Sequence, residues 1–342
     1  MTGAELADRV WYEERVSSRV ARGVLAPGSL LFRAAVAARN GLYDAGVLRS
    51  ATLPLPAVSV GNISVGGTGK TPVAAWIAGE LAARGRVPAV VLRGYGGDEP
   101  LVHRRLNPGV HVIVAADRVD GARRAHAAGA DVVVLDDAFQ HRRARRDLDV
   151  VLVSADRWRP GLGVLPAGPL REPARALARA GQVLVTRKAA SVERAAMVAE
   201  WAKRASGGRD VGIAHLAPTA LVDWVTGDRR AVADLAGRPV LAIAAIGDPA
   251  AFAEQLRQLG AEPTLAAFRD HHHFTRSDAA RLAAGQPRTA SIVCTLKDAV
   301  KLGPLWPTDG PTLWYVAQDV ILELGREALA RSLDQLHRVP ST

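Results

Sequence analysis

A glycine-rich stretch at residues 61–72 has the residue types that bind the phosphates of a nucleotide. It reads G-N-I-S-V-G-G-T-G-K-T-P, follows the β-branched run Ala57–Val60 and precedes a helix-forming segment. In such a loop, backbone N–H groups close around phosphate oxygens at a helix N-terminus, a lysine reaches the β- and γ-phosphates, and a threonine hydroxyl can bind Mg²⁺. The sequence therefore predicts a phosphate-binding loop whose ligands are Gly66, Gly67, Thr68, Gly69, Lys70 and Thr71.

Two consecutive acids, Asp136 and Asp137, follow the apolar run Val132–Leu135. A carboxylate at the C-terminal end of a buried strand beside a phosphate-binding loop can hold Mg²⁺ directly or through water. The alternative is that one of the two acids only caps the next helix. Loop and acids together predict nucleoside triphosphate chemistry.

The elements that position these residues form a regular alternation. From residue 54, short β-branched runs alternate with helical stretches, which predicts a parallel sheet with helices on both faces, the α/β class of P-loop NTPases. We predict a strand at Val132–Asp136, and beyond a boundary near residues 206–210 a second alternation with strands at Ser291–Thr295 and Leu313–Val316 and a closing helix near Ile321–Leu336. The predicted organisation is a P-loop domain at 1–210 and a smaller α/β domain at 211–342, with a cleft between them.

The N-terminal segment, about residues 5–48, has apolar residues at helical spacing among arginines. We predict one or two amphipathic helices, broken near Pro27-Gly28. Such helices either pack on their own domain or lie at a membrane surface, with apolar groups in the headgroup boundary and arginines on anionic lipid. These two interpretations remain open at the level of sequence.

Composition limits the class of protein. The 342 residues, 49% hydrophobic and 23% charged, exclude a wholly disordered or fibrous chain, and a net charge of +10 favours acidic partners. The single cysteine excludes an intramolecular disulfide framework and a cysteine-based zinc site. Acids within residues 1–25 argue against a signal peptide, and no uninterrupted apolar run approaches the roughly 20 residues of a spanning helix. We expect a soluble or peripheral protein in a reducing compartment.

A set of motifs in fixed order gives a more specific indication. The chain resembles the tetraacyldisaccharide 4'-kinase family of lipid A biosynthesis over nearly its whole length. The resemblance is carried by V-G-N-I-S-V-G-G-T-G-K-T-P (60–72), R-G-Y-G-G (93–97), G-D-E-P (97–100), D-D-A-F-Q-H-R-R (136–143), D-L-D-V-V-L-V (147–153), L-P-A-G-P-L-R-E-P (165–173), G-D-P (247–249), F-R-D-H-H-H-F (268–274) and K-D-A-V-K-L (297–302).

The resemblance implies transfer of the ATP γ-phosphoryl group, with Mg²⁺, to the 4'-hydroxyl of a tetraacyldisaccharide 1-phosphate. It also implies a peripheral enzyme at the cytoplasmic face of the inner membrane, with the lipid and the membrane surface as partners and with neither nucleic acid nor an obligate protein partner. Lys70 and Thr71 would hold phosphate and metal, with Asp136 and Asp137 also serving the metal. Asp98 would be the catalytic carboxylate, partnered by His271 or His272.

Further motif residues would contact the acceptor or phosphate, namely Arg93, Tyr95, Gln140, Arg171 and Glu172. A sugar hydroxyl is a poor nucleophile, so a positioned carboxylate can accept its proton while an imidazole orients or tunes that carboxylate. Because Asp98 and the histidines belong to different predicted domains, we expect the domains to close over bound substrates.

Three departures from the family pattern bear on this assignment. R-G-Y-G-G shares Gly97 with G-D-E-P, so the loop before Asp98 is shortened; Ala138 replaces a glycine; and Leu296 replaces a common glutamate. The alternatives are a P-loop ATPase switch, a kinase for another sugar acceptor, and a nonenzymatic membrane-surface protein. Many of the switch ATPases have a lysine before the loop glycines, where this chain has Val65.

Overall fold

The computed structural model describes residues 3–94, 97–286 and 291–336. Its helices are α1 (Gly3–Tyr12), α2 (Val16–Asp44), α3 (Lys70–Ala83), α4 (Glu99–Leu106), α5 (Arg118–Ala127), α6 (Val192–Ala205), α7 (Pro249–Gln258), α8 (Arg276–Ala283), α9 (Leu296–Leu302) and α10 (Arg326–Asp334). Its strands are β1 (Ala57–Asn62), β2 (Pro88–Leu92), β3 (His111–Val114), β4 (Val132–Asp136), β5 (Leu148–Ser154), β6 (Gln182–Arg187), β7 (Val211–Asp223), β8 (Arg229–Ala231), β9 (Pro239–Ala244), β10 (Glu262–Ala267), β11 (Ser291–Thr295) and β12 (Leu313–Leu324).

One twisted sheet runs through the described chain. Its order is β10-β9-β11-β12-β7-β6-β5-β1-β4-β2-β3, and β8 pairs with β7 beside this path. Neighbouring strands are parallel except where β7 pairs with β12 and with β8. The α/β class with a P-loop-type parallel sheet is therefore confirmed, and the sheet continues across the predicted boundary near residue 210. The division into domains at that residue stays a prediction.

Local patterns located most strands correctly. The strand predicted at Val132–Asp136 is β4, and the one at Ser291–Thr295 is β11. The closing helix predicted from Ile321 is wrong in its first turn, because residues 321–324 continue β12 along β7 and the helix begins only at Arg326. Pairing with a neighbouring strand here outweighs helix propensity.

Helix α3, which follows the phosphate-binding loop, lies in a core that also contains residues from the last strand and helix described. Val73, Ile77 and Leu81 of α3 belong to one buried cluster with residues of β1, β4, β5 and β7. The same cluster includes the C-terminal side chains Val320, Leu322, Leu329, Leu333 and Leu336. The position of α3 therefore depends on the last elements of the chain.

The N-terminal segment forms two helices, and the predicted break at Pro27 is wrong. Helix α2 continues through Pro27, and the break lies instead between Tyr12 and Val16. A proline inside a helix leaves the carbonyl four residues earlier without its N–H partner. That residue is Gly23, and both Gly23 and Pro27 are exposed, so water can hydrate the freed carbonyl.

Candidate active site

The phosphate-binding loop adopts the conformation that its glycines permit. Gly66 has φ +110° and Gly69 φ +83°, in the left-handed region that disfavours side chains, and α3 begins directly at Lys70. A Cβ at Gly69 would come within 2.3 Å of Leu216 Cδ1 on β7, so the loop also requires glycine there for space. The backbone N–H groups at the start of α3 are thereby available to an anion.

Thr68 ties this loop to the strands beneath it. Asn62 Nδ2 at the end of β1 donates to Thr68 Oγ1 at 2.8 Å, and Thr186 Oγ1 on β6 donates to the Thr68 carbonyl at 2.9 Å. Gln140 Nε2 donates to the Asn62 carbonyl at 2.9 Å. The structure thus makes Thr68 a support of the loop, and Gln140 both a support and part of the cleft wall.

Asp136 ends β4 next to the first turn of α3. Its Oδ2 accepts hydrogen bonds from His103 Nε2 at 3.0 Å and from Thr71 Oγ1 at 3.3 Å, and its carbonyl accepts one from Arg118. Burial would raise the pKa of Asp136, but His103 and Lys70 outweigh it, so the pKa lies below its ordinary value. Asp136 Oδ1 is buried, and no donor among the described residues reaches it.

Asp137 has a different environment from its neighbour. Arg171 NH1 donates to both of its carboxylate oxygens, at 2.9 and 3.1 Å, and Lys70 Nζ lies 3.9 Å from Oδ1. Burial lowers the pKa of Lys70, and the charge of Asp137 opposes that shift. The four charges of Lys70, Asp136, Asp137 and Arg171 therefore surround the end of the phosphate-binding loop.

Asp98 and His271 come into contact although 173 positions separate them. His271 Nδ1 donates to Asp98 Oδ1 at 3.2 Å, and the ammonium groups of Lys297 and Lys301 each lie 3.6 Å from Asp98 Oδ2. Burial would raise the pKa of Asp98, but the hydrogen bond from His271 and the two lysine charges hold it at about 2. The same hydrogen bond raises the pKa of His271 above its ordinary 6.5, against the effects of burial and Lys297.

The cleft wall exposes only one member of this dyad. Asp98 has no exposed surface, whereas the His271 side chain is 30% exposed and lines the cleft. His271 Nε2 lies 3.4 Å from Lys297 Nζ, and a nitrogen beside an ammonium accepts its N–H. This arrangement leaves the Nδ1 proton on the side of Asp98.

His272 does not join the dyad. Its Nε2 lies 3.3 Å from Asp278 Oδ2, and its ring packs against Phe268 and Phe274 at centroid distances of 4.9 and 5.0 Å. His271 has φ +58°, which turns adjacent side chains in different directions. Of the two histidines that the sequence left open, the structure brings His271 to Asp98.

The remaining predicted residues differ in where they lie. Arg93 and Arg171 line the cleft with Gln140. Glu172 is 1% exposed and binds Arg179 and Asn40 of α2, so the structure uses it to attach the N-terminal helix. Tyr95 lies outside the described residues.

The phosphate-binding loop, the paired acids, Arg93, Gln140, Arg171 and His271 border one cleft of about 870 Å³, which lies between the loop after β1 on one side and residues 246–248, 270–271 and 295–297 on the other. Five further residues lie in the cleft wall or just beneath it and were not predicted from the sequence, namely His103, Arg118, Lys188, Lys297 and Lys301. Lys297 and Lys301 belong to the K-D-A-V-K-L motif, and that motif could have indicated them. Among the described residues, no group of three His, Cys, Asp or Glu side chains could hold a metal alone.

Helix α2 is long and apolar enough, by length and composition, to cross a membrane. Its mean hydropathy reaches 1.3 over the best window, although charged residues interrupt every apolar run. The expectation that no uninterrupted apolar run reaches about 20 residues therefore holds, and the hydropathy averaged over the helix is high despite its arginines. The helix is also attached to the folded body, because Ser29 and Asn40 hydrogen-bond to Val164 and Glu172.

Comparison with known proteins confirms the resemblance that the motifs carry. The LpxK family, described as tetraacyldisaccharide-1-P 4'-kinase, matches residues 21–98 and 96–338, two segments that meet at the shortened loop before Asp98. A tetraacyldisaccharide 4'-kinase from Anaeromyxobacter dehalogenans is 41% identical over 97% of this chain and 95% of its own length. One from Syntrophus aciditrophicus is 38% identical over 81% and 83%.

A solved structure supports the same grouping. The crystal structure of the "apo" form of LpxK from Aquifex aeolicus in complex with ATP is similar with a TM-score of 0.72 at 26% identity, covering 92% of this chain and 99% of that one. The phosphate-binding loop, the paired acids and the Asp98–His271 contact thus lie in a chain that belongs to the tetraacyldisaccharide 4'-kinase family.

Proposed function

We propose that this protein transfers the γ-phosphoryl group of ATP to the 4'-hydroxyl of a tetraacyldisaccharide 1-phosphate. The observation that carries the proposal is the Asp98–His271 hydrogen bond in the wall of the cleft that the phosphate-binding loop also borders. A hydroxyl-activating pair and a triphosphate site in one cavity are what a kinase for an alcohol acceptor requires. Family membership supports the identity of the acceptor.

On the phosphate side, the chain supplies positive charge and fixed N–H donors. Lys70 would neutralise the β- and γ-phosphate oxygens, and the N–H groups of residues 66–71 would hold them in line with the acceptor. Arg171 keeps Asp137 in place beside Lys70. Little covalent chemistry falls to the protein in this reaction, so positioning and charge make the larger contributions.

The residues around Asp136 fit a magnesium ion. Asp136 Oδ1 has no donor among the described residues, and Thr71 Oγ1 lies beside the same carboxylate. Mg²⁺ prefers oxygen ligands and takes most of them from water and phosphate rather than from a protein cage. We propose that Asp136 and Thr71 hold the ion and that Asp137 acts on it through water. When bound, Mg²⁺ would neutralise charge on the transferring phosphate.

On the acceptor side, we propose that His271 takes the proton of the 4'-hydroxyl. The imidazole is the member of the dyad that lines the cleft, and the acceptor hydroxyl would replace the Lys297 ammonium at its Nε2, the nitrogen not bonded to Asp98. The bond from the 4'-oxygen to the γ-phosphorus forms as the bond from that phosphorus to the β–γ bridging oxygen breaks, which releases ADP, and the hydroxyl proton moves to His271 Nε2. Buried Asp98 fixes the tautomer and stabilises the imidazolium that results.

Phosphate transfer in a defined assay tests this proposal. Wild-type protein with Mg²⁺ and γ-labelled ATP is expected to label tetraacyldisaccharide 1-phosphate in detergent, but not an analogue that lacks the 4'-hydroxyl. A matched reaction without acceptor measures hydrolysis. ATP turnover that is equal with and without the lipid, and no labelled lipid, would instead support the ATPase-switch alternative.

We further propose that the N-terminal helices place the enzyme peripherally on the cytoplasmic face of the inner membrane. Val16, Val20, Val24, Leu30 and Leu31 of α2 are 61–75% exposed and fall within one face of the helix. An apolar stripe of this kind, with arginines beside it, suits the interface between acyl chains and anionic headgroups. The acceptor is itself a lipid, so surface binding would bring enzyme and substrate together.

Charged residues on this stripe are expected to weaken membrane binding while preserving the active site. Each valine that leaves water contributes roughly 1.5 kcal/mol, so Val20→Glu and Val24→Glu should each weaken sedimentation with phosphatidylglycerol-containing vesicles about 10-fold or more. Val225→Glu is the matched control, because Val225 is 81% exposed in the turn after β7. Unchanged sedimentation of the α2 variants would exclude this surface as the docking face.

A further inference from the structure

A second lysine approaches the phosphate-binding loop from another part of the chain. Lys188 follows directly after β6, and its Nζ donates to the Gly67 carbonyl at 3.2 Å. Nζ also lies 3.6 Å from the position that a Cβ of Gly67 would take, so the ammonium is in contact with the loop. Like Lys70, Lys188 lines the cleft.

The segment that carries Lys188 is held rigidly. Asp156 Oδ2 accepts the backbone N–H of Lys188 at 2.9 Å, and Asp156 Oδ1 accepts those of Ala189 and Ala190, both at 2.8 Å. One carboxylate therefore orders three consecutive residues. A lysine whose backbone is fixed in this way loses less conformational entropy when its ammonium binds an anion.

The charge of Lys188 has no close carboxylate partner among the described residues. Asp156 is occupied by backbone N–H groups, and Asp248 caps α7 by accepting from the N–H of Ala251. Burial lowers the pKa of Lys188, and Asp248 and Asp156 oppose that shift as charges. Of the three N–H donors of the ammonium, the Gly67 carbonyl takes one. A phosphate in the cleft would supply the missing negative charge.

We propose that Lys188 binds the terminal phosphate of the nucleotide and stabilises its charge during transfer. This inference rests on the proposed function, because it requires a nucleoside triphosphate in the loop. Switch ATPases of the P-loop class often supply a second lysine from within the loop, at the position where this chain has Val65. Here the second lysine comes instead from the segment after β6 in the same chain.

The difference between ATP and ADP affinity tests the assignment. With full-length protein, Lys188→Met is expected to weaken binding of the β,γ-imido analogue of ATP by about 10- to 100-fold, the range for a hydrogen bond to a charged group. ADP affinity should change less than about 2-fold, because ADP lacks the terminal phosphate. Lys188→Arg keeps the charge and should recover part of the analogue affinity.

Lys203→Met is the matched control, because Lys203 is exposed on α6. Equal weakening of ATP analogue and ADP, or no change in either, would overturn the proposal in favour of a purely structural contact with Gly67. If Lys188→Met has a lowered melting temperature, Lys188→Gln carries the same test, because its amide can still donate to the Gly67 carbonyl but has no charge for the phosphate. Nucleotide binding is measured without lipid. The result therefore tests Lys188 even if the protein does not phosphorylate the proposed acceptor.

Discussion

Replacing Asp98 with asparagine is expected to lower kcat for phosphate transfer by about 10³- to 10⁴-fold, as for a dyad histidine left in the wrong tautomer. An asparagine amide can donate to His271 Nδ1, which would move the imidazole proton to Nε2, where the hydroxyl proton has to be accepted. KM for ATP should change little, because Asp98 is buried behind His271 and does not line the cleft. Steady-state kinetics on lipid acceptor in detergent give both values.

Controls for Asp98→Asn have to show that the variant is folded. Asp98 faces two ammonium groups, from Lys297 and Lys301, and asparagine leaves them only their longer contacts with Asp270 at 3.8 Å and Asp298 at 3.7 Å. The melting temperature is therefore measured alongside, and Asp319→Asn, an exposed site on β12, is the matched substitution. Retention of more than about a tenth of wild-type kcat would remove Asp98 from the mechanism.

The pH dependence of kcat separates the two members of the dyad. His271 must be neutral to accept a proton, and its pKa is raised above 6.5 by Asp98. The wild-type rate should therefore increase with pH through a pKa above 6.5 and be lost as pH falls below it. If Asp98 itself were the base, its pKa of about 2 would give a rate independent of pH between about 5 and 8.

Substitution of Lys70 by methionine is expected to reduce kcat/KM for ATP by about 10³-fold or more, the scale reported for cationic groups on a transferring phosphate. Lys70 is the first residue of α3, and its ammonium lies at the loop end beside Asp137. The loop itself should keep its shape, because Arg171 still binds Asp137 and Thr186 still holds Thr68. Lys203→Met again provides the control.

Phosphate transfer and nucleotide binding have to be measured together for this variant. A loss in kcat with nearly unchanged ADP affinity would place Lys70 on the terminal phosphate, whereas equal losses would place it on the β-phosphate. Either outcome agrees with a loop lysine that spans both groups. Activity within 10-fold of wild type would contradict the assignment of the loop as the catalytic phosphate site.

Features that depend on a short continuous stretch of residues could be predicted from the sequence. The phosphate-binding loop follows from residues 61–72, and β4 with its terminal acids follows from one apolar run. Helix α4 has only eight residues, and three in its last turn are histidine or arginine. Because it shows no marked apolar periodicity, neither the helix nor the position of His103 was predicted. Its start depends on the cap by Asp98, whose side chain accepts the Glu99 N–H.

Contacts between distant segments could not be predicted in the same way. The choice between His271 and His272 depends on one left-handed backbone conformation, and the role of Lys188 depends on the approach of β6 to the loop. Glu172 was predicted to bind substrate because its motif is part of the resemblance, yet its carboxylate is buried against Arg179 and Asn40. A family motif indicates that a residue matters without distinguishing support of the fold from contact with a ligand.

The core around α3 has a consequence for how the chain folds as it is synthesised. Leu329, Leu333 and Leu336 pack with Ile77 and Leu81, and Arg84 pairs with Asp334 at 2.9 Å. The N-terminal 210 residues alone would leave this side of α3 open to water and would leave β6 without its neighbour β7. The nucleotide site would then be completed only after α10 has left the ribosome. A chain truncated before α10 would therefore not hold α3 and the phosphate-binding loop in place.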